Sequence, residues 1–460
     1  MKVVTTGFLV VLAAVLGGCP EDRITWAPDG HQALIRASEG LYTTDAEGNL
    51  TLIVPEATGP VAWMGDSRRF LVQRRIAVKT WNEGAGLLNP AQTKQIIGWA
   101  EILLARALNW KGKLEEFGWR CEDAHMPDEA LPLAVLYLRD HHEKVLGEKL
   151  GQHWGSLKEE DPFLFRFQLC QLREGKCETV RDLFVTLTEA CAVRVSPKET
   201  AFAFTAPDSC FGEPRRTLFV AGLKEGDQPV RLMGCVSPGL AWSKDGQYLA
   251  FVEAETKELH GTEEYVLGSV EYLKVCDPQG AILSTDNWTS GIPVEDVATV
   301  FFDQKAGIDI LPDGRIIFSA AEVHMPTSKW IRSSTSLFAV EPKGHGRIQR
   351  LLPPEGQQAG EEATLFQLSP DGQMVIIQSM RRHKESFGVF NLASGQRVFQ
   401  SPTWDGSVFP VWRAKDSICF VGRSADQKPV VNLVDLRTKA IVPISAKWPK
   451  KVFEGLSGQN

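Results

Sequence analysis

The chain has 460 residues, of which 43% are hydrophobic and 23% are charged, a balance typical of a globular protein with a large core. The formal net charge is −7, and no run of Lys or Arg forms a basic stripe. This pattern argues against nucleic acid as a partner, because phosphate binding depends on clustered cations.

The first residues, MKVVTTGFLVVLAAVLGGCPEDR, combine one cation at Lys2 with a short apolar stretch and small residues before Cys19. The stretch is shorter than the roughly 20 residues of a membrane-spanning helix, and the pattern is typical of a secretory signal. The segment from Leu16 to Cys19 resembles the lipobox of bacterial lipoproteins, which implies lipidation of Cys19. We therefore expect a signal peptide at residues 1–18 and a membrane-anchored lipoprotein of the cell envelope, facing the periplasm or the exterior. A simple cleaved signal peptide is the alternative.

A polar turn between two apolar runs recurs seven times after the N-terminus. Turns of the Pro-Asp-Gly type, flanked by β-branched and aromatic residues, predict a β-hairpin in each repeat. The segments are TWAPDGHQALI from Thr25, AWMGDSRRFLV from Ala62, RVSPKETAFAF from Arg194, AWSKDGQYLAF from Ala241, DILPDGRIIFS from Asp309, QLSPDGQMVII from Gln367 and VWRAKDSICFV from Val411.

A second pair of strand-like runs follows each hairpin, as in LYTTDAEGNLTLIV and EYLKVCDPQGAILS. Four short antiparallel strands per repeat, taken seven times, predict an all-β fold, a seven-bladed β-propeller. A helical solenoid is disfavoured because the runs are short and rich in Val, Phe and Ile. We expect the propeller to occupy residues 19–445, with a C-terminal tail at 446–460.

The W-S-P-D-G…L-A-F pattern of these hairpins resembles the WD40-like repeat of TolB-type periplasmic proteins and of the propeller domains of prolyl-oligopeptidase-type peptidases. The resemblance extends from Ile24 to Ser445 and implies the propeller fold. It also implies either a docking platform, as in TolB-like proteins, or a gate over a hydrolase domain, as in the peptidases. Blade one starts shortly after Cys19 and blade seven is followed only by the tail, so we expect neither the N-terminal domain of TolB nor a hydrolase domain.

Large apolar residues precede the turn in the hairpins, and four of them are Trp26, Trp63, Trp242 and Trp412. Because the position repeats from blade to blade, we expect these side chains to pack between blades rather than to form an aromatic ligand site. The same argument makes the repeated turn aspartates Asx-turn formers rather than catalytic acids. They are Asp29, Asp66, Asp245, Asp313 and Asp371.

An insertion at residues 82–162, within blade two, changes the apolar period from two to three or four. It predicts one helix starting near Asn89 and Pro90 and ending near Lys113, and a second from Pro127 to Trp154. The apolar residues of the first are Ile96, Ala100, Leu103, Ala107 and Trp110, and those of the second are Leu131, Val135, Leu138, Val145 and Leu150. We expect this helical hairpin to lie over the mouth of the central channel or against its rim.

Two cysteine pairs flank short turns and are candidate disulfides outside the cytoplasm. Cys170 and Cys177 flank QLREGK, and Cys191 and Cys210 flank a predicted hairpin. Buried free thiols are the alternative. No metal-ligand spacing occurs, and the cluster DHHEK at residues 140–144 is expected to be a solvated helix face.

The long segments of the chain fall on one face of the predicted propeller, the face that carries the loops between second and third strands and the crossings between blades. They are the helical insertion, EAETKELHGTEEYVLG from Glu253, TDNWTSGIPVEDVA from Thr285 and AAEVHMPTSKWIRSSTS from Ala320. Long loops often carry function, so we predict that this face binds a partner, with tolerated surface insertion as the alternative. The candidate binding residues are His260, Trp288, His324, Trp330 and Arg332.

The sequence contains no nucleophile elbow, phosphate loop or dinucleotide-binding fingerprint, so no catalytic residue, cofactor or metal site is assigned. The favoured function is a lipid-anchored protein-binding or scaffolding module that captures a protein partner in the cell envelope. The alternative is a periplasmic enzyme or a binder of a glycan or peptide, with its site at the mouth of the central channel.

Overall fold

The computed structural model describes residues 23–124, 126–157, 162–208, 215–234, 236–260, 265–285, 299–302, 307–324, 331–332, 335–342, 348–352, 362–381, 384–401, 404, 406 and 408–456. Seven antiparallel sheets follow one another around a ring, and each has four strand positions. The predicted fold, a seven-bladed β-propeller, is therefore confirmed. Residues 1–18 and Cys19 lie outside the described residues.

Each blade takes its strands in chain order, and the first strand is innermost, beside the first strands of neighbouring blades. Blade one contains β1 (Ile24–Trp26), β2 (Gln32–Ala37), β3 (Gly40–Asp45) and β4 (Leu50–Pro55). Blade two contains β5 (Ala57–Trp63), β6 (Arg69–Ala77), β7 (Phe163–Arg173) and β8 (Lys176–Thr186). Blade three contains β9 (Ala192–Val195), β10 (Ala201–Asp208), β11 (Arg215–Gly222) and β12 (Val230–Met233). Blade four contains β13 (Val236–Trp242), β14 (Leu249–His260), β15 (Tyr265–Cys276) and β16 (Ile282–Thr285).

Blade five has interrupted strands at two of its positions. Its first position is shared by β17 (Thr299–Phe302) and β18 (Ile308–Ile310), its second is β19 (Ile316–His324), its third is shared by β20 (Ile331–Arg332) and β21 (Ser336–Val340), and its fourth is β22 (Gln349–Arg350). Blade six contains β23 (Glu362–Leu368), β24 (Met374–Arg381), β25 (Lys384–Asn391) and β26 (Arg397–Gln400). Blade seven contains β27 (Val411–Ala414), β28 (Ser417–Arg423), β29 (Pro429–Asp435) and β30 (Ile441–Pro443).

The turns of the inner hairpins are closed as the sequence predicts. The Asp29 carboxylate accepts a hydrogen bond from the His31 backbone N–H at 2.9 Å, and Asp245 accepts one from the Gln247 N–H at 3.0 Å. The same bond occurs at the other three turn aspartates. These carboxylates therefore hold the backbone of a turn, which is a structural role.

The core is divided among the contacts between blades, which we call seams. In the described residues each of the seven seams holds one apolar cluster built from the two facing blades. The seam between blades two and three is aromatic, with the Phe167 ring centroid 5.3 Å from that of Phe202 and 5.0 Å from that of Phe204. Each fully buried side chain of this kind contributes about 1.5 to 3 kcal/mol, so the seams make a large contribution to the stability of the ring.

Three of the four repeated tryptophans also make one identical hydrogen bond across a seam. The indole N–H of Trp63 donates to the main-chain oxygen of Thr25 at 2.9 Å, that of Trp242 to Arg194 at 3.0 Å, and that of Trp412 to Gln367 at 3.0 Å. In each case the acceptor stands one position before the repeated apolar residue of the preceding blade. The side chains are less than a tenth exposed, so the tryptophans are core residues that also join inner strands.

The closing seam, between blades seven and one, is built differently. The Trp26 indole N–H has no oxygen partner and lies against the Cys419 thiol, a weak acceptor. Helix α5 (Lys450–Leu456), preceded by Trp448, covers this seam instead. The Trp448 indole N–H donates to the Gly48 oxygen at 2.9 Å, and the Val452 side chain is fully buried. The region predicted as a tail thus contains a helix that contributes to the core.

We expect Trp63→Phe to lower the free energy of unfolding by about 1 kcal/mol more than Trp26→Phe, the value of one buried hydrogen bond. Both substitutions keep an aromatic ring in a seam, but only the first removes a donor from a main-chain oxygen. Chemical denaturation of the two variants measures the difference. Equal losses would show that the indole bond contributes nothing beyond ring packing.

Candidate functional site

The insertion leaves blade two between β6 and β7, and its described residues form four helices. They are α1 (Trp81–Leu87), α2 (Pro90–Asn109), α3 (Leu131–Leu150) and α4 (Gln152–Leu157), with short 3-10 turns at Leu114–Glu116, Cys121–Ala124 and Asp128–Ala130. Helix α2 starts where the sequence predicts, because the Asn89 side chain accepts from the Gln92 N–H at 2.9 Å and Pro90 holds the first helical position. We call the side of the propeller that carries this insertion the insert face.

The insertion has an apolar core of its own and a firm base on blade two. Its core includes Ile96, Leu103 and Leu138, and it extends to Leu164 and Val185 at the ends of β7 and β8. The Val78 N–H donates to the Pro162 oxygen at 2.9 Å, which joins the two ends of the insertion. At blade three the Asn89 side chain donates to Gln228 at 2.9 Å. The insertion is therefore an ordered layer on the rim of blades two and three.

Two details of the predicted helices were wrong. Val145 is 43% exposed, because α3 departs from helical geometry at His142 and its later turns present Leu146 and Leu150 to the core instead. Asp140, expected on a solvated face, accepts a hydrogen bond from the Trp81 N–H at 2.7 Å and so fixes the start of α1. The neighbouring His141 ring stacks on Tyr137 with centroids 4.5 Å apart.

The outer surface of the insertion is partly apolar. Ile102 is 45% exposed and Leu108 is 39% exposed on the outer side of α2, and Leu114 is 37% exposed just after it. A shallow cavity of about 370 Å³ lies between α1 and the first turns of α2. Its lining is apolar at Ala85, Leu88, Pro90 and Ile97, with Thr93 and Lys94 at its edge. Such a surface can accept apolar side chains of another protein.

The described parts of the long segments in blades four and five are paired strands. Strands β14 and β15 stay paired from Leu249 opposite Cys276 to His260 opposite Tyr265, so the loop predicted from Glu253 was wrong. Strand pairing is favoured over a loop there because it provides hydrogen-bond partners for the backbone N–H and C=O groups of both runs. Strand β19 likewise continues to His324.

The structure describes the backbone of three of the five candidate binding residues. In blade five His324 is paired with Ile331 and Arg332 with Val323, so His324 and Arg332 are at successive register positions, which belong to opposite faces of the hairpin. His260 ends β14 in the neighbouring blade. Trp288 and Trp330, and most of the segment that starts at Thr285, lie outside the described residues.

Polar residues on the innermost strands form a second candidate region, which sequence reasoning missed. The Asp309 carboxylate accepts from the backbone N–H of Ile310 at 2.8 Å and from that of Leu368 in blade six. Burial raises the pKa of Asp309, while the positive charges of Arg194 and Lys244 act in the opposite direction. The Gln367 side chain similarly accepts from the Trp412 N–H at 3.2 Å. The signal was available, because the position before the repeated apolar residue is polar in four repeats: Thr25, Arg194, Asp309 and Gln367.

We expect Asp309→Asn to be at least as stable as the wild type at pH 7. Because its pKa is raised in the folded state, wild-type Asp309 destabilises the fold above that pKa, and this penalty disappears as the pH falls below the unfolded value of about 3.9. The difference in melting temperature between the variant and the wild type should therefore shrink in acid.

Asp313→Asn is the matched control, since the hydrogen bond from Arg315 lowers the pKa of Asp313. That variant should be less stable than the wild type at pH 7, with a loss that fades in acid. If both variants show the same sign, burial does not control Asp309.

Cys170 and Cys177 lie close together as thiols on neighbouring strands of blade two. The hydrogen bond from the Cys170 thiol lowers the pKa of Cys177, and that bond together with burial raises the pKa of Cys170. The second candidate pair cannot be compared in the same way, because Cys210 lies outside the described residues.

Within the described ranges, no group of three or more His, Cys, Asp or Glu side chains converges as metal ligands would. In the same part of the chain no helix has the length and apolar character needed to cross a membrane.

No protein-family model and no curated protein matches the sequence. Similar solved structures include TolB from Acinetobacter baumannii, which is 12% identical over 61% of this chain and 59% of the TolB chain, with a TM-score of 0.37. Hydrazine synthase from Kuenenia stuttgartiensis is 10% identical over 94% of this chain and 96% of its own, with a TM-score of 0.44. A putative TolB from Agrobacterium tumefaciens is 17% identical over 58% of this chain and 84% of its own, with a TM-score of 0.34.

This chain thus spans less than two thirds of the Acinetobacter TolB. The molecule is a seven-bladed β-propeller with TolB-like proteins among its structural neighbours, and at these identities the similarity concerns the fold alone.

Proposed function

We propose that this protein is a non-enzymatic, lipid-anchored β-propeller of the cell envelope that binds a protein partner through its insert face. The observation that carries the proposal is the helical insertion, an ordered layer with its own core and with Ile102 and Leu108 exposed on α2. A tolerated surface loop has no need of a core, whereas a binding surface must be held in shape. Exposed apolar side chains on such a layer are typical of an interface.

The propeller interior is less suited to the competing function, an enzyme or small-ligand site at the channel mouth. Two polar side chains on the described inner strands, those of Asp309 and Gln367, are used by the scaffold itself. The Asp309 carboxylate is hydrogen-bonded to two main-chain N–H groups, and the Gln367 amide binds the next blade. An acid committed to the backbone in this way is poorly placed to transfer a proton to a substrate.

The entry of the chain into β1 supports a membrane-proximal position of the insert face. The Arg36 N–H donates to the Arg23 oxygen at 2.9 Å, and the Arg36 guanidinium lies 3.8 Å from Glu189, in the crossing between blades two and three. Such crossings lie on the insert face. Only a few residues separate Arg23 from Cys19, and each spans at most about 3.6 Å. A lipid on Cys19 would therefore hold the insert face towards the membrane, where a membrane-associated protein is the expected partner.

The binding surface can be tested with a photo-crosslinking amino acid placed at Ile102 or Leu108 in the native cells. We expect a discrete cross-linked species from each site, because both side chains lie on the outer side of the insertion. The matched controls are Leu52, 41% exposed on β4, and Leu283, 59% exposed on β16. The proposal is refuted if the insertion sites yield no species of their own beyond those seen from the two controls.

The anchor is tested separately by Cys19→Ala. We expect this variant to leave the membrane fraction and to lose labelling by a radioactive fatty acid, because the acyl chains supply the membrane affinity. A folded variant that still sediments with membranes would contradict the anchor, and would leave the cross-linking result to decide the binding surface.

A further inference from the structure

Blade two places two cysteines side by side near a tight turn. Cys170 on β7 is opposite Thr179, and Leu172 is opposite Cys177 on β8, so the two cysteines occupy diagonal positions on one face of the hairpin. Both belong to the seam between blades one and two. Cys170 is 1% exposed, whereas Cys177 is half-buried. An incoming reagent can therefore reach Cys177 before Cys170.

The electrostatic surroundings also favour Cys177 over Cys170 as the reactive thiol. The Cys170 thiol donates a hydrogen bond to Cys177, and the positive charge of Arg74 also favours the Cys177 thiolate, so the pKa of Cys177 is lowered. That hydrogen bond, followed by burial, raises the pKa of Cys170. Cys177 is thus the better nucleophile, whereas Cys170 remains protonated.

We propose that Cys177 and Cys170 form a reversible dithiol–disulfide site in which Cys177 attacks first and Cys170 resolves. The co-reactant is a disulfide, either that of a thiol oxidoreductase or a small-molecule one such as oxidised glutathione. This site is independent of the proposed binding function and of the anchor.

The exchange has two steps that balance. The Cys177 thiolate attacks one sulfur of the incoming disulfide, whose S–S bond breaks, and the other sulfur leaves as a thiolate that takes up a proton. Cys170 then gives its proton to solvent, and its Sγ attacks Cys177 Sγ and releases the second thiol. In total the cysteine pair loses two electrons and two protons, and the incoming disulfide gains both.

The first step prepares the second. The largest cause of the raised pKa of Cys170 is its hydrogen bond to Cys177, and that bond loses its charged acceptor once Cys177 is in the mixed disulfide. Diagonal positions on paired strands are also wider apart than the roughly 3.8 Å between Cβ atoms of a relaxed disulfide. The bond that forms is therefore strained, and strained disulfides are the ones that are easily reduced again.

The test is differential alkylation of the folded, reduced protein at pH 7, read by peptide mass spectrometry. We expect Cys177 to react at least ~10-fold faster than Cys276 and Cys419, because reactivity follows the thiolate fraction. These two are the buried reference thiols, since burial raises the pKa of each to about 12 and leaves Cys276 1% and Cys419 0% exposed.

Oxidised glutathione then separates the roles of the two cysteines. Wild type should form the Cys170–Cys177 disulfide and return to thiols in excess reduced glutathione. Cys170→Ser should accumulate a glutathione adduct on Cys177, whereas Cys177→Ser should leave Cys170 unmodified. If a variant does not fold, acid-quenched wild type should still show the Cys177 adduct as a transient. A Cys177 no faster than the controls, or an adduct that forms on Cys170 first, would overturn the proposal.

Discussion

The propeller depends on how the backbone N–H and C=O groups at the inner edges of its sheets find hydrogen-bond partners. The inner edge of each sheet has no further strand to pair with, so its N–H and C=O groups need other partners. Indole N–H groups from the following blade reach the carbonyl oxygens of Thr25, Arg194 and Gln367. Backbone N–H groups of the following blade donate in the same direction, to the side chains of Asp309 and Gln367. These bonds fix the angle between blades, and the apolar seams fill the space that this angle leaves.

This arrangement explains which parts of the molecule could be predicted from sequence. The hairpin turns and the start of helix α2 depend on local chemistry, because Asp29 accepts from His31 and Asn89 accepts from Gln92. The packing of the tryptophans was predictable for another reason, since their position repeats from blade to blade. The long runs after Glu253 gave no such signal, because their strand structure depends on pairing across the hairpin.

The residues that sequence reasoning missed depend on contacts between distant parts of the chain. Asp309 in blade five needs the Leu368 N–H of blade six, and Asp140 in α3 needs the Trp81 N–H at the start of α1. Neither pairing can be inferred from spacing along one element. The polar residues before the repeated apolar position, Asp309 among them, can be recognised only when the repeats are aligned on their turns. Even then, the sequence does not show that Asp309 accepts a hydrogen bond, because the donor lies in the next blade of the ring.

The scaffold and the candidate binding surface use different residues. The residues at repeated positions pack the seams and close the turns, whereas the insertion occurs in one blade, and its two ends are joined by the hydrogen bond between Val78 and Pro162. Ile102 and Leu108 take no part in the core. Changes on that surface can therefore alter recognition while the ring keeps its stability.

The seam between blades one and seven can close only after the end of the chain, including helix α5, has been synthesised. Blade one presents Ile24, Ile35 and Tyr42 towards blade seven, and these side chains are covered only when β27 to β30 and α5 are in place. Those elements follow all other blades along the chain, so a growing polypeptide carries an uncovered apolar flank throughout the synthesis of the first six blades. During this interval the nascent chain is exposed to association with its neighbours, and a chaperone that shields this flank would have to remain until the last blade arrives.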